Sequence, residues 1–346
     1  MIQALLNGTY DGLEFHHVRL AFSADMDSVG KFKVKKVWIL FTTILQILWV
    51  RVSTGAKTIY YPPSGPEKVP VIRDIILLNC VRWAFSKTVF HFHAGGVSGF
   101  RNELSGFLRY LFDRAYRKPD LAIRTSELNP DDGAEFGAKK SVVVYNGLED
   151  EIGSVLRSAE NKKIQLLFVG VLIPSKGVMV LMEACGLLVQ NGYDLEIKVL
   201  GQFGSQDFEN ELKDRIQDLE LTEMVEFLGV KSGNDKFKHF ASCDIFCFPS
   251  YFESESFGLV CAEAMMFAKP IVSTNWRGIP TVVQNGVNGY LVPIKDPSAF
   301  AKKVEELIID PQKRQKMGEA GRRIYEERFT VEIFRASLEE ALLSIY

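Results

Sequence analysis

Short apolar runs alternate with longer amphipathic stretches through almost all of the 346 residues, and few architectures accept that pattern. In the first half the apolar runs fall at 15–22, 58–61, 88–93, 121–123 and 141–145, with helical periodicity at 37–52, 71–85 and 101–116. In the second half the runs fall at 165–169, 195–200, 225–228, 245–248, 270–273 and 289–292. Helical stretches lie between them at 177–191, 208–219, 236–241 and 258–267, and a helical tail follows from 297. Strands joined by helices cannot close as hairpins, so the pattern predicts parallel sheets built from βαβ units.

The polar stretch 146–163 separates two such series, which predicts two Rossmann-like domains facing across a cleft. The expected division is 1–150, 151–330 and a C-terminal helix, 331–346, that returns to the first domain. Ligands of open α/β sheets bind beyond the carboxyl ends of the strands, so the chemistry is sought there. A net charge of −2 argues against a protein that coats nucleic acid. The charge is uneven, however: residues 31–118 hold 15 Lys and Arg against 4 Asp and Glu, so that segment carries +11 and the remainder −13. Cys80, Cys185, Cys243, Cys247 and Cys261 have neither disulfide-framework nor zinc-site spacing, which fits a reducing compartment. The apolar run 37–50 is shorter than the roughly 20 residues of a spanning helix, and the first residues lack the basic flank of a cleavable signal.

The most informative segment runs from Phe248 to Met266, where an apolar strand enters a loop and then a helix. Glu255 falls in the loop, and Glu263 lies in the helix, its side chain leaning back toward the helix start. Between them, the backbone N–H groups of Ser256, Phe257, Gly258 and Leu259 open the helix and form an anion site strengthened by the helix dipole. A diphosphate flanked by two carboxylates that accept sugar hydroxyls fits this arrangement. The plainer reading is a capping Glu255 and a solvated Glu263. A second strand–loop–helix segment, Leu167 to Gly177, places Lys176 at a strand end, as a phosphate-binding lysine or a solvated loop residue.

From about residue 141 to the C-terminus, and in patches before it, the chain resembles the retaining glycosyltransferases of family 4, which have the GT-B fold. The family's E-x7-E motif matches Glu255 and Glu263, and its G-x-L-x-x-x-K-G segment matches Gly170, Leu172, Lys176 and Gly177. Further matches are Tyr145-Asn146-Gly147, Gly278-Ile279-Pro280 and Asn285-Gly286-Val287-Asn288-Gly289. The resemblance implies that Glu255 contacts hydroxyls of the transferred sugar, Glu263 the ribose and Lys176 the diphosphate, with Asn146 and Gly170 at the same site. Two positions depart from the family: Val171 stands where it often has a phosphate-binding Arg, and Thr281 where it often has an acid. Phosphate binding then leans on Lys176 and the backbone, or on another cation such as Arg277.

In the first domain, Phe90 to Gly96 ends an apolar strand with His93 at its edge and a flexible glycine pair after it. A strand histidine is often structural, but the resemblance implies that His93 hydrogen-bonds the donor sugar. The D-x-D string Asp25-Met26-Asp27 stands far in sequence from the phosphate loops, so no metal or other cofactor is expected. The family begins with a strand and a Gly-rich loop that have no counterpart here, so the first domain is expected to lack its first βα unit. Lys31, Lys33, Lys35 and Lys36 lead into the apolar run, and 101–118 is basic, so 31–52 and 101–118 suggest an anionic membrane surface. The alternative is a helix packed on the sheet beside solvated lysines.

Together these readings imply a metal-independent retaining glycosyltransferase of surface polysaccharide synthesis. It would move a sugar from a nucleotide-diphosphate sugar to a lipid-linked or growing glycan acceptor, in the cytoplasm at the inner face of the plasma membrane. The alternatives are an inactive nucleotide-sugar-binding subunit and a UDP-sugar epimerase on the same fold.

Overall fold

The computed structural model describes residues 5, 6, 8, 10–20, 34–154 and 163–346. The chain divides into two compact units, Met1–Tyr145 with Arg335–Tyr346, and Asn146–Phe334. The expectations about Asp25 to Asp27 and about a missing first βα unit fall outside the described residues.

The first unit runs α1 (Val34–Thr54), β1 (Thr58–Tyr61), α2 (Lys68–Val81), β2 (Lys87–Phe92), α3 (Gly106–Tyr116), β3 (Leu121–Arg124), α4 (Asp132–Glu135) and β4 (Ser141–Val143). Its four strands are parallel and lie in sequence order. The core is aromatic, with Phe90, Phe112 and Tyr116 fully buried. Two expectations are corrected here. Residues 15–20 form no strand, although Phe15, Val18 and Leu20 are half-buried and Leu20 packs on the core. Their alternation is satisfied by packing alone, without a ladder. The helix expected over 101–116 is broken: a 3₁₀ turn, Val97–Glu103, ends before α3, whose N-cap is Ser105.

The second unit runs β5 (Ile164–Val169), α5 (Val178–Gln190), β6 (Leu195–Leu200), α6 (Gln206–Asp218), β7 (Val225–Gly229), α7 (Gly233–Ser242), β8 (Ile245–Phe248), α8 (Leu259–Met266), β9 (Ile271–Thr274), α9 (Ile279–Val282), β10 (Gly289–Val292), α10 (Pro297–Ile309) and α11 (Pro311–Arg328). A last helix, α12 (Val331–Leu343), starts in this unit and ends in the first. All six strands are parallel, in the order β10-β9-β8-β5-β6-β7. Strands β5, β8 and β9 are buried nearly throughout because helices cover both faces, the Ser273 and Thr274 hydroxyls of β9 being satisfied by the Phe248 and Ser250 carbonyls, whereas edge strand β7 is only half-buried. Both α10 and α11 open with Asp-Pro: Asp296 and Asp310 accept backbone N–H bonds from Ala299 and Lys313, and a proline stands at the first helical position.

This is the doubly wound order. Successive strands go one way from β5 and the other way from β8, so the chain's direction reverses between two adjacent central strands. In sheets of this order ligands bind outside the carboxyl ends of the strands at the reversal, which here are the ends of β5 and β8. The architecture is therefore α/β with two parallel sheets.

Candidate active site

The two loops singled out in the sequence, 170–177 and 249–258, leave the two strands that flank this reversal. They are bonded to each other, Tyr251 N–H donating to the Ser175 carbonyl at 2.8 Å. Gly177 makes the approach feasible: its φ is +83°, and a Cβ there would lie 2.0 Å from the Pro249 carbonyl oxygen. Gly278 has the same function on the other side. Its N–H donates to the Glu255 carbonyl at 3.0 Å, and a Cβ there would lie 1.9 Å from the Ser256 carbonyl oxygen. The Gly-Ile-Pro motif thus fixes the backbone of the glutamate loop. Asn285 to Gly289 is also architectural: the Asn288 side chain is buried between the Gln284 N–H and the Val282 carbonyl.

Lys176 and Glu255 meet at 2.6 Å, with side chains 17% and 11% exposed. Ser250 Oγ donates to the same carboxylate oxygen at 3.1 Å, and the ammonium lies 4.6 Å from the centre of the Phe252 ring. Opposite charges are thus held together, mostly out of water, at the carboxyl ends of the two central strands. Glu255 is not a helix cap. That position is Gly258, with φ +75° and no side-chain cap bond, so the helix start offers backbone N–H groups. Phe257 is buried edge-on against Phe329, while Ser256 and Leu259 are half-buried.

Glu263, in the second turn of α8, is not solvated either: it is 6% exposed. Its Oε1 accepts from Lys236 Nζ at 2.6 Å, and its Oε2 is buried with no hydrogen-bond partner among the described residues. Burial raises the carboxyl pKa against the opposing pull of Lys236. Lys236 sits on α7, 27 residues before Glu263, and nothing in its spacing marks it. The Asn146 side chain is buried with Oδ1 unpartnered. Arg277, weighed as a substitute phosphate cation, lies at the surface, its guanidinium over Trp276 and 3.8 Å from Glu253.

In the first unit, His93 follows β2 directly. Its ring stacks on that of His91, centroids 4.1 Å apart, and the fully buried His91 contacts the Tyr60 hydroxyl through Nδ1. Burial pushes the His93 pKa down to about 4, so the imidazole is neutral at physiological pH. The glycine pair after it is not loose. The carboxylate of Asp132, buried on α4, accepts the N–H groups of Gly96 and Ser98, both at 2.8 Å. Asp132 was not legible in the sequence because the contact joins separate βα connections. Among the described residues no cluster of three or more His, Cys, Asp or Glu side chains could hold a metal ion.

Comparisons with known proteins point one way. The family model for glycosyl transferases group 1 matches residues 153–324. The capsular polysaccharide biosynthesis glycosyltransferase CapM of Staphylococcus aureus is 30% identical over 194 residues, 56% of this chain and 48% of that protein. The amylovoran biosynthesis glycosyltransferase AmsK of Erwinia amylovora is 30% identical over 222 residues, 62% of this chain and 53% of that protein. The chain thus matches about half the length of these relatives. Among solved structures, Anabaena Alr3699/HepE in complex with UDP-glucose aligns with a TM-score of 0.67 at 23% identity, covering 87% of this chain and 82% of that one. Sucrose-phosphate synthase from Thermosynechococcus elongatus aligns with a TM-score of 0.72 at 18% identity, covering 91% and 80%. These neighbours are GT-B proteins and support that fold. The matched segment contains both loops described above, and over residues 153–324 the chain belongs to the group 1 glycosyl transferases.

Proposed function

We propose that this protein transfers a sugar, with retention, from a nucleotide-diphosphate sugar to a lipid-linked or growing glycan acceptor in polysaccharide synthesis. The observation that carries the reading is the half-buried Lys176–Glu255 pair at the strand reversal, on loops bonded to one another. Lys176 and the N–H groups opening α8 face the diphosphate as charge builds on it. Glu255 accepts hydroxyls of the transferred sugar, and Glu263 Oε2 accepts a ribose hydroxyl. Asn146 and Gly170 line the same donor, and neutral His93 hydrogen-bonds the sugar. The roles of these residues follow the family resemblance, and the polysaccharide setting follows CapM and AmsK. A UDP-sugar donor is suggested by the ligand of the Anabaena protein.

In the reaction, the bond from the anomeric carbon to the phosphate oxygen breaks through an oxocarbenium-like state, and the electron pair leaves with the nucleoside diphosphate. The acceptor oxygen bonds to the same face of that carbon, and its proton passes to the departing phosphate oxygen. Preorganised donors aimed at that oxygen lower the barrier most.

The test is incubation with UDP- and GDP-sugars and a membrane extract as acceptor. Acceptor-dependent nucleotide release that disappears in Glu255→Gln supports transfer. An isomerised donor without acceptor would identify an epimerase, and donor binding without turnover an inactive subunit.

A further inference from the structure

α1 is packed along one side only. Leu40, Ile44, Ile47 and Leu48 lean on the core of the first unit, while Trp38, Phe41, Leu45, Trp49 and Val52 form an exposed stripe at spacings of three and four residues. Trp38 is 66% and Trp49 70% exposed, which is unusual for side chains of that size. The stripe has neighbours. Strands β1 to β4 lie in sequence order, so right-handed crossovers place α2 and α3 on one face of the sheet, where α1 packs on α2 and α2 on α3. α3 exposes Phe107, Leu108 and Tyr110, and Trp83 is exposed just after α2. Exposed Lys68, Arg114, Arg117 and Lys118 accompany them.

We infer that α1 lies in the plane of an anionic bilayer, with the Trp38–Val52 stripe inserted among the acyl chains and the basic residues on the headgroups. The inference goes beyond sugar transfer and does not rest on it. The sequence run 37–50 was too short to span a bilayer, but the helix extends past it at both ends to 21 residues. At 1.5 Å per residue that is about 31 Å, so length alone permits crossing. The packing forbids it: the Leu40–Leu48 side is held against the core, and β1 begins four residues after Thr54. A buried core helix is equally excluded, because only 6% of the apolar window Val37–Thr54 is buried. A second copy would set the same basic residues against each other, whereas acidic headgroups complement them. Aromatic residues beside arginine and lysine at the edge of an apolar stripe are the chemistry of the lipid interface.

Tryptophan fluorescence tests this directly, because the chain has four tryptophans, Trp38, Trp49, Trp83 and Trp276. Variants retaining one at a time, the others changed to Phe, are mixed with phosphatidylcholine–phosphatidylglycerol vesicles whose acyl chains carry bromine. Quenching of Trp38 and Trp49 with Trp276 unaffected is the expected result. Vesicle affinity should weaken on the order of tenfold for each of Trp38→Ala and Trp49→Ala, with an unchanged circular dichroism spectrum. Binding that leaves both tryptophans unquenched would overturn insertion in favour of adsorption by charge alone. Absence of vesicle binding, with an oligomer that dissolves in the double variant, would overturn it in favour of a second copy.

Discussion

Glu263→Gln distinguishes a carboxylate kept for a ligand from one kept for the fold. The wild-type group is 6% exposed, holds Lys236 through Oε1 and has no partner on Oε2. An orphaned buried acceptor costs about 1–3 kcal/mol, and more when it is charged. The amide preserves shape and can still accept from Lys236. It loses the charge-assisted part of that bond, worth about 1 kcal/mol, and removes the desolvation of a carboxylate. These effects oppose each other, so the stability change should stay within about 1 kcal/mol, a Tm shift of about 2–4 °C or less. Donor binding has no such compensation. With its oxygen facing Lys236, the amide presents NH₂ where the carboxylate presented an acceptor, and a hydrogen bond to a charged group, about 1.5–3 kcal/mol, is lost. Calorimetric donor affinity should then weaken roughly 10- to 150-fold. The pH dependence has a definite sign. Because burial raises the Glu263 pKa, the folded state takes up this proton before the unfolded chain does as pH falls. The group's contribution to stability is therefore complete below the ordinary glutamate range and is lost as pH rises through the raised value. Donor affinity runs the opposite way, and the Gln variant should show neither dependence. A loss of more than about 3 kcal/mol of stability with donor affinity unchanged would refute the reasoning and make Glu263 the buried half of a structural ion pair.

Lys176→Met leaves Glu255 with the Ser250 hydroxyl alone, and the rate of acceptor-dependent nucleotide release should fall on the order of 10²–10³-fold while donor affinity falls less. Gly177→Ala must place a methyl 2.0 Å from the Pro249 carbonyl oxygen at φ +83°, so urea unfolding should show a loss of at least about 1–3 kcal/mol. His93 is depressed to about 4, so between the ordinary histidine value and pH 4 the unfolded chain binds the proton first. Its share of stability is lost as pH falls through that window, and His93→Gln should flatten this part of the pH–stability curve. Asp132→Ala removes the acceptor shared by the Gly96 and Ser98 amides, and hydrogen exchange at those two should accelerate on the order of tenfold or more.

The alternation of apolar runs and helices located all ten strands of the two sheets, because parallel strands covered on both faces are continuous apolar runs. It failed at 15–20, where half-burial without ladder partners produces the same alternation, and at the break before α3, which the helical periodicity of 101–116 ran through. The two loops at the strand reversal were legible because motif spacing and local geometry coincide within one segment of chain. Lys236 and Asp132 were not, because each acts across two elements that only the folded sheet brings together. The sequence left two readings of the 37–50 helix open, a packed face and a membrane face; α1 packs Leu40, Ile44, Ile47 and Leu48 on the core and leaves Trp38, Phe41, Leu45, Trp49 and Val52 exposed, which is the surface the membrane proposal rests on.

Motif reading and polar accounting are independent ways to nominate residues, and in the second unit both nominate Asn146 and Glu263. Six buried side-chain atoms lack a hydrogen-bond partner among the described residues. Two belong to residues chosen from the sequence, Asn146 Oδ1 and Glu263 Oε2, and a third, His91 Nε2, belongs to the ring stacked on His93. Motifs choose residues by type and spacing and carry no knowledge of burial, whereas the orphaned atoms follow from burial and geometry alone. A fold optimised only for stability would fill such positions with apolar side chains, which avoid about 1–3 kcal/mol for each orphan. Retaining polar atoms there is explained if a polar ligand supplies the missing partner. The expectation for Glu263 therefore does not depend on its motif alone, and Asn146 is the next position at which a conservative change should weaken donor binding more than it weakens the fold.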